Sequence, residues 1–186
     1  MMGSEDIDLG LGSIWNAWFE FHKGKRMSMA MHEFQYNLEA NLMQLHQDLV
    51  NGTYEHGPYR SFVVCDNKRR EISVSSVRDR VVHRLLYDYL VPIWDKTFVY
   101  DAWSCRKGKG LLAAIERTQQ FLKTYPRAYV WRADIKKFFD TINHDVLVKL
   151  LARRTKAPQA MQLAKTAIKS FTIGSESWGG VLLECP

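Results

Sequence analysis

The sequence predicts an α+β fold in which helices outnumber strands and the sheet is small and antiparallel. Three observations lead there. Apolar residues recur at steps of three and four through most of the 186 residues. Two short β-prone runs, Phe62-Val63-Val64-Cys65 and Glu71-Ile72-Ser73-Val74, flank the polar stretch 66–70 and read as a hairpin. A third β-prone run, Tyr129 to Asp134, delivers a carboxylate at its end.

Taken in order, Ile14 to Phe21 carries Trp15, Trp18 and Phe19 at helical spacing, and Gly24 ends it. The series Met31, Phe34, Leu38, Leu42, Leu45, Leu49 marks one amphipathic helix, with Asn51-Gly52 as its stop. The hairpin turn, with Lys68, Arg69 and Arg70, places three cations at its tip. Helical spacing resumes from Asp79 to Val91, and Pro92 should follow the end of that helix. A further helix runs from Gly110 to Lys123 and is broken by Tyr125-Pro126, after which Tyr129 to Asp134 forms a strand. Asn143 can cap a helix over Asp145 to Arg154, with Val146, Leu147, Leu150 and Leu151 facing inward. Pro158 suits the first turn of a last helix reaching Phe171. Beyond it the chain is rich in Gly and Ser until Val181-Leu182-Leu183, which reads as the start of a strand.

Composition narrows the class. Hydrophobic residues make up 46% and charged residues 25%, as in globular proteins rather than disordered ones. No apolar run approaches the roughly 18 residues that span a bilayer. The first dozen residues are acidic and Gly-rich, without the basic flank and apolar stretch of a secretion signal. Cys65, Cys105 and Cys185 are odd in number and far apart, which suggests neither a disulfide framework nor a zinc knuckle. A cytoplasmic location without membrane contact is the expectation. The net charge of +6, with cations concentrated between Lys68 and Lys109, favours a polyanionic partner.

An acid at the end of a buried strand is costly unless a cation or hydrogen bonds compensate it. Asp134 is therefore a candidate Mg²⁺ ligand, since that ion is held by hard carboxylate oxygens and substrate phosphates. Taken alone, it reads better as an exposed strand-end acid or a helix cap. Asp79, at a helix start between Arg78 and Arg80, favours the helix dipole and reads as a cap. One of those two arginines should pair internally and the other face phosphate. Arg106-Lys107-Gly108-Lys109-Gly110 is a basic, Gly-rich entry to a helix, suited to a nucleic-acid backbone. Its spacing is not that of a Walker A loop.

Asp134-Ile135-Lys136-Lys137-Phe138-Phe139-Asp140-Thr141-Ile142-Asn143-His144-Asp145 resembles the first catalytic motif of bacterial-type reverse transcriptases. That family includes the group II intron, retron and diversity-generating retroelement enzymes. Lys68 to Val74, then Arg78 to His83, look like its fingers motifs, as does Tyr100 to Gly110. The resemblance runs from about Ser61 to Arg154 and implies the fingers and partial palm of a right-hand polymerase. The implied division is 1–57 an N-terminal helical region, 58–127 fingers-like, and 128–186 partial palm.

The resemblance also implies roles. Asp134 would be the first catalytic aspartate, and the Ile135 carbonyl would join it in holding metal, two Mg²⁺ ions in the intact enzyme. Phe139 would be the steric gate against ribonucleotides. Arg70, assisted by Lys68, would grip the incoming dNTP, since a guanidinium fork meets phosphate oxygens in pairs. Arg78, Arg80, Arg106, Lys107 and Lys109 would contact the RNA template and DNA primer. The sequence departs from the family in having no Asp-Asp pair and no aspartate after Asp145. The second acidic motif and the thumb are missing from it. Expected behaviour is therefore that of a reverse transcriptase fragment, inactive alone, or of a remnant that only grips RNA or protein.

Overall fold

The computed structural model describes residues 6–65 and 69–171, without the side chains of Phe139 and Asp140. It is helix-rich with one two-stranded antiparallel sheet. The mixed class read from the sequence is therefore present.

Helix α1 (Leu11–His22) buries Ile14, Ala17, Trp18 and Phe21, a spacing of three and four that puts one stripe inward. The apolar series from Met31 to Leu49 is split, contrary to the single helix expected. It forms α2 (Met29–Tyr36) and α3 (Leu38–Asn51), broken where Asn37 adopts φ −116 and ψ 39. The Asn41 side-chain amide donates to the Phe34 carbonyl at 2.9 Å, satisfying one of the carbonyls freed by the break. Gly52 closes α3 at φ 70, a left-handed conformation that a side chain would strain.

Strands β1 (Arg60–Cys65) and β2 (Arg69–Val74) pair with Phe62 opposite Ile72 and Val64 opposite Arg70. Every residue of β1 is exposed and only Ile72 of β2 is buried, so the hairpin stands out as an arm.

Helix α4 (Val77–Trp94) is the spine. It buries Val77, Val81, Val82, Leu85 and Leu86 against α1, and it meets α2 and α8 as well. Pro92 lies inside it rather than beyond its end. Only one helical turn is affected there, which limits the loss to about one backbone bond. A 3₁₀ turn (Asp95–Thr97) leads to a loop and then to α5 (Leu111–Thr124), which buries none of its residues. After the short α6 (Phe138–Thr141) comes α7 (His144–Ala152). Asn143 caps α7, its side-chain oxygen accepting from the Val146 amide at 3.0 Å. The inward face expected for α7 is only partly met: Leu151 packs on the core, but Val146 is 52% and Leu150 41% exposed. Helix α8 (Pro158–Ser170), with proline in its first turn, returns to the core through Ala160, Leu163 and Ala164.

The expected strand from Tyr129 to Asp134 is absent. A strand needs a neighbour to pair its N–H and C=O groups. The described sheet is the separate hairpin, so this stretch stays irregular and in water. No helix of the described residues is long and apolar enough to cross a membrane. Cys65 is an exposed free thiol, and Cys185 lies outside the described residues. The run Val181-Leu182-Leu183 and Lys68 lie outside the described residues.

Candidate nucleic-acid interface

The arm carries the first predicted residue. Arg70 sits on exposed β2, next to Arg69 and across from Val64. With Arg60 at the other end of β1, three guanidinium groups are spread along a ribbon that packs on little else.

At the foot of the arm the chain builds a buried polar cluster. Ser76 caps α4, its hydroxyl accepting from the Asp79 amide at 3.1 Å and donating to Asp79 Oδ2 at 2.6 Å. The reading of Asp79 as part of the helix cap is met, but Asp79 is also fully buried. Its carboxylate accepts from the Tyr54 hydroxyl at 2.8 Å and from the Gly57 amide at 3.2 Å. Such donors are what a buried carboxylate requires. A Cβ at residue 57 would stand 3.1 Å from Asp79 Oδ2, so glycine there permits the close approach. Burial and the neighbouring Asp79 charge hold the Tyr54 hydroxyl far above its ordinary pKa.

Two histidines complete the cluster. His56 Nδ1 lies 2.7 Å from the Gly57 carbonyl, which can only accept, so this nitrogen carries the proton. In neutral His56 the other nitrogen, Nε2, must then accept from His83 Nε2–H at 3.2 Å. Burial and the adjacent His56 depress the His83 pKa to about 4. Tyr59 stacks on His56 and reaches Ser170 on α8 at 3.2 Å. Sequence reasoning passed over this cluster. The available signal was Asp79 and His83, four apart on one helix face.

Of the flanking arginines, Arg78 pairs internally, as one of the two was expected to. It donates to Asp48 at 2.7 Å and to the Glu55 carbonyl at 3.2 Å. Arg80 lies over the Phe21 ring at 5.1 Å, within the core side of α4.

The loop before α5 is organised by Arg106. Its guanidinium donates to the Asp95 carboxylate at 2.7 and 3.2 Å and to the carbonyls of Asp95, Val99 and Ala102, each at 3.1 Å. With its donors engaged this way, Arg106 shapes the loop rather than reaching out of it. Lys109 donates to the Tyr100 carbonyl and lies over the Tyr100 and Trp103 rings. Lys107 is exposed.

Asp134 lies in solvent in the irregular stretch, where its Oδ1 accepts from the Ile135 amide at 3.0 Å. Ile135 is 66% exposed. Phe139 falls within α6, and its side chain lies outside the description. The buried, compensated acid that the sequence reading placed at Asp134 is found instead at Asp79. No group of three or more His, Cys, Asp or Glu among the described residues could hold a metal ion. One exposed carboxylate does not fit a two-ion site. No described contact links Arg70 with Asp134.

No protein-family model matches the chain. It is 28% identical over 142 residues to protein YkfC of Escherichia coli (strain K12), covering 73% of this chain and 37% of that protein. It is 25% identical over 127 residues to a 91 kDa protein in the cob intron of Schizosaccharomyces pombe, covering 67% of this chain and 15% of the relative. It is 29% identical over 114 residues to a COX1/OXI3 intron 1 protein of Saccharomyces cerevisiae, covering 60% and 13%. The chain thus spans well under half the length of these relatives.

Proposed function

We propose that this chain is the fingers and first palm portion of a bacterial-type reverse transcriptase. The intact enzyme adds deoxynucleotides to a primer 3′-end on an RNA template. The observation that carries the reading is the order of its motifs: Lys68 to Val74, Arg78 to His83, Tyr100 to Gly110 and Asp134 to Asp145. Distant similarity to proteins encoded in introns adds support, because that family includes intron enzymes. The exposed arm bearing Arg70 suits a residue that must meet a triphosphate from solvent.

The residues present do not make a polymerase on their own. Phosphoryl transfer depends on positioning and on stabilising the charge spread over the transferring group. A single exposed Asp134 supplies neither. Losing several kcal/mol of that stabilisation slows a reaction at least thousands-fold, since each 1.36 kcal/mol is tenfold. In this chain, Arg70 would bind phosphate, Phe139 would restrict the sugar, and the basic residues would hold the strands.

The purified chain should bind an RNA–DNA primer–template but incorporate no labelled dNTP. Incorporation abolished by Asp134→Ala would overturn the fragment reading. Loss of binding with salt should follow a log–log slope of roughly −0.7 per neutralised phosphate on a single strand. A flat salt dependence would count against nucleic acid as the partner. The exposure of Asp134 in an irregular stretch favours a second reading, a catalytically inactive remnant that only grips RNA or protein. In that case Asp134→Ala would leave RNA binding unchanged, whereas Arg70→Ala on the exposed arm would weaken it.

A further inference from the structure

The hairpin arm leaves the body of the molecule through two short roots, residues 53–59 before β1 and 75–76 after β2, and neither is regular structure. With no ladder to hold the roots, side chains do so. Both meet at buried Asp79: the Gly57 amide donates to it from the first root at 3.2 Å, and the Ser76 hydroxyl from the second at 2.6 Å. The first root is also gripped from two sides. His56 meets His83 of α4, Nε2 to Nε2 at 3.2 Å. Tyr59 reaches α8, where Ser170 donates to the Ala167 carbonyl at 2.8 Å and so accepts from the Tyr59 hydroxyl at 3.2 Å.

The His56–His83 bond exists only while one of the two facing nitrogens lacks a hydrogen. The neutral pair carries hydrogen on His56 Nδ1 and His83 Nε2. An imidazolium carries one on each nitrogen, so two imidazoliums would set donor against donor across 3.2 Å. The closed pair therefore takes up at most one further proton, whereas the pair opened into water takes up two. Acid favours the opened form. The groups facing the pair are Asp79, with Tyr54 bonded to it, and Arg80 on α4, then Tyr59 on the root; α8 meets Tyr59 through the Ser170 hydroxyl. Asp79, 3.9 Å from His56 Nδ1, favours a cation here, and Arg80 opposes one at His83. Burial opposes it most, holding His83 at about 4 against an ordinary 6.5.

We propose that the His56–His83 pair is a proton-operated latch on the arm. Closed, it fixes the root of the hairpin against α4 and α8; with both histidines charged, it frees residues 55–59 and lets the hairpin swing. The core does not need the latch. Of the first root only Tyr54 belongs to the apolar cluster, and α1 packs along α4 without it. A segment held by a few polar contacts and little apolar burial is the kind that opens by itself. Nothing in the latch depends on what the arm binds, so it can fail without touching the proposed function. Under that function, the latch sets where Arg70 is presented.

The test is an NMR titration of the full 186-residue chain, isotope-labelled and without ligand. At neutral pH, long-range correlations within the rings should show hydrogen on His56 Nδ1 and His83 Nε2 and none on His56 Nε2. As pH falls from 6.5 toward 4, order parameters of the Arg60–Cys65 and Arg69–Val74 amides should drop from about 0.85 to below about 0.6. Those of α3 should hold. In His83→Gln a side-chain amide can still donate to His56 but has no proton to gain, so the arm should stay ordered across the same window. If that variant fails to fold, the wild-type titration decides alone, because the arm must loosen together with full protonation of the two rings. An arm that stays ordered with both histidines charged overturns the latch. So does an arm that loosens while the pair is still neutral, or only together with α3, or in His83→Gln as in wild type.

Discussion

Leu45 on α3 is fully buried, whereas Leu111 on α5, on a helix of the same 14 residues, is 79% exposed. The contrast extends across both regions. Residues from Ile7 to Leu86 share a core with Ala157 and with Ala160, Leu163 and Ala164 of α8. Between Phe98 and Leu150, by contrast, Leu112, Tyr129, Val130 and Trp131 are each at least 72% exposed. Both regions carry amphipathic helices. What differs is whether another element lies along the apolar stripe: α1 packs along α4, while no described element packs along α5. An amphipathic stripe states a need for a partner and does not supply one.

The comparison can be broken or sharpened by experiment. The largest effect is expected from truncating the same side chain in both regions. Leu45→Ala should cost about 2–5 kcal/mol in denaturant unfolding, and Leu111→Ala less than about 0.5 kcal/mol. Equal costs would show that α5 is packed in solution. Next come the two acids. Asp79→Ala strands the Tyr54 hydroxyl, the Ser76 hydroxyl and the Gly57 amide, and should cost about 2–4 kcal/mol. Asp134→Ala should leave the melting temperature where it is.

The third prediction concerns acid. The His83 pKa is lowered from 6.5 to about 4 in the folded chain, so the unfolded chain binds the extra proton first. Stability is then complete above pH 6.5 and is lost as pH falls toward 4, by at most roughly 3 kcal/mol. Asp48, Asp95 and Asp101 have lowered pKa values, so their contributions fade only in still stronger acid. His83→Gln should flatten melting temperature against pH between 6.5 and 4, a window set by the His83 shift. A profile as steep as wild type would remove His83 as the cause. The smallest effect belongs to a helix cap. Asn143→Ala removes the side-chain acceptor at the start of α7 and should cost about 1 kcal/mol. Because α7 buries no residue, this loss should appear as faster amide exchange within α7 rather than as a lower global melting temperature. A matching fall in both would mean that α7 and the core unfold together.

Much of the secondary structure was legible in the residues. The α3 stop at Gly52, the hairpin, the Asn143 cap and Pro158 in the first turn of α8 are local decisions, each made by a side chain or backbone within a few positions. Errors came where the deciding contact was elsewhere. Asn37 breaks a periodic run that reads as continuous, and Pro92 is carried inside α4. Tyr129 to Asp134 has strand composition, but strand formation needs a neighbour at hydrogen-bonding distance.

The amino-acid order alone indicated most of the helical segments and where the cations gather. Those properties depend on spacings of a few residues and on composition. Only the tertiary structure decided which acid is buried, which arginines are engaged internally, and that α1, α4 and a distant loop face one cleft. The physical reason is that desolvation and charge pairing are set by neighbours in space. Asp79 acquires two of its donors from residues 22 and 25 positions away, while Asp134 stays in water beside its own neighbour's amide.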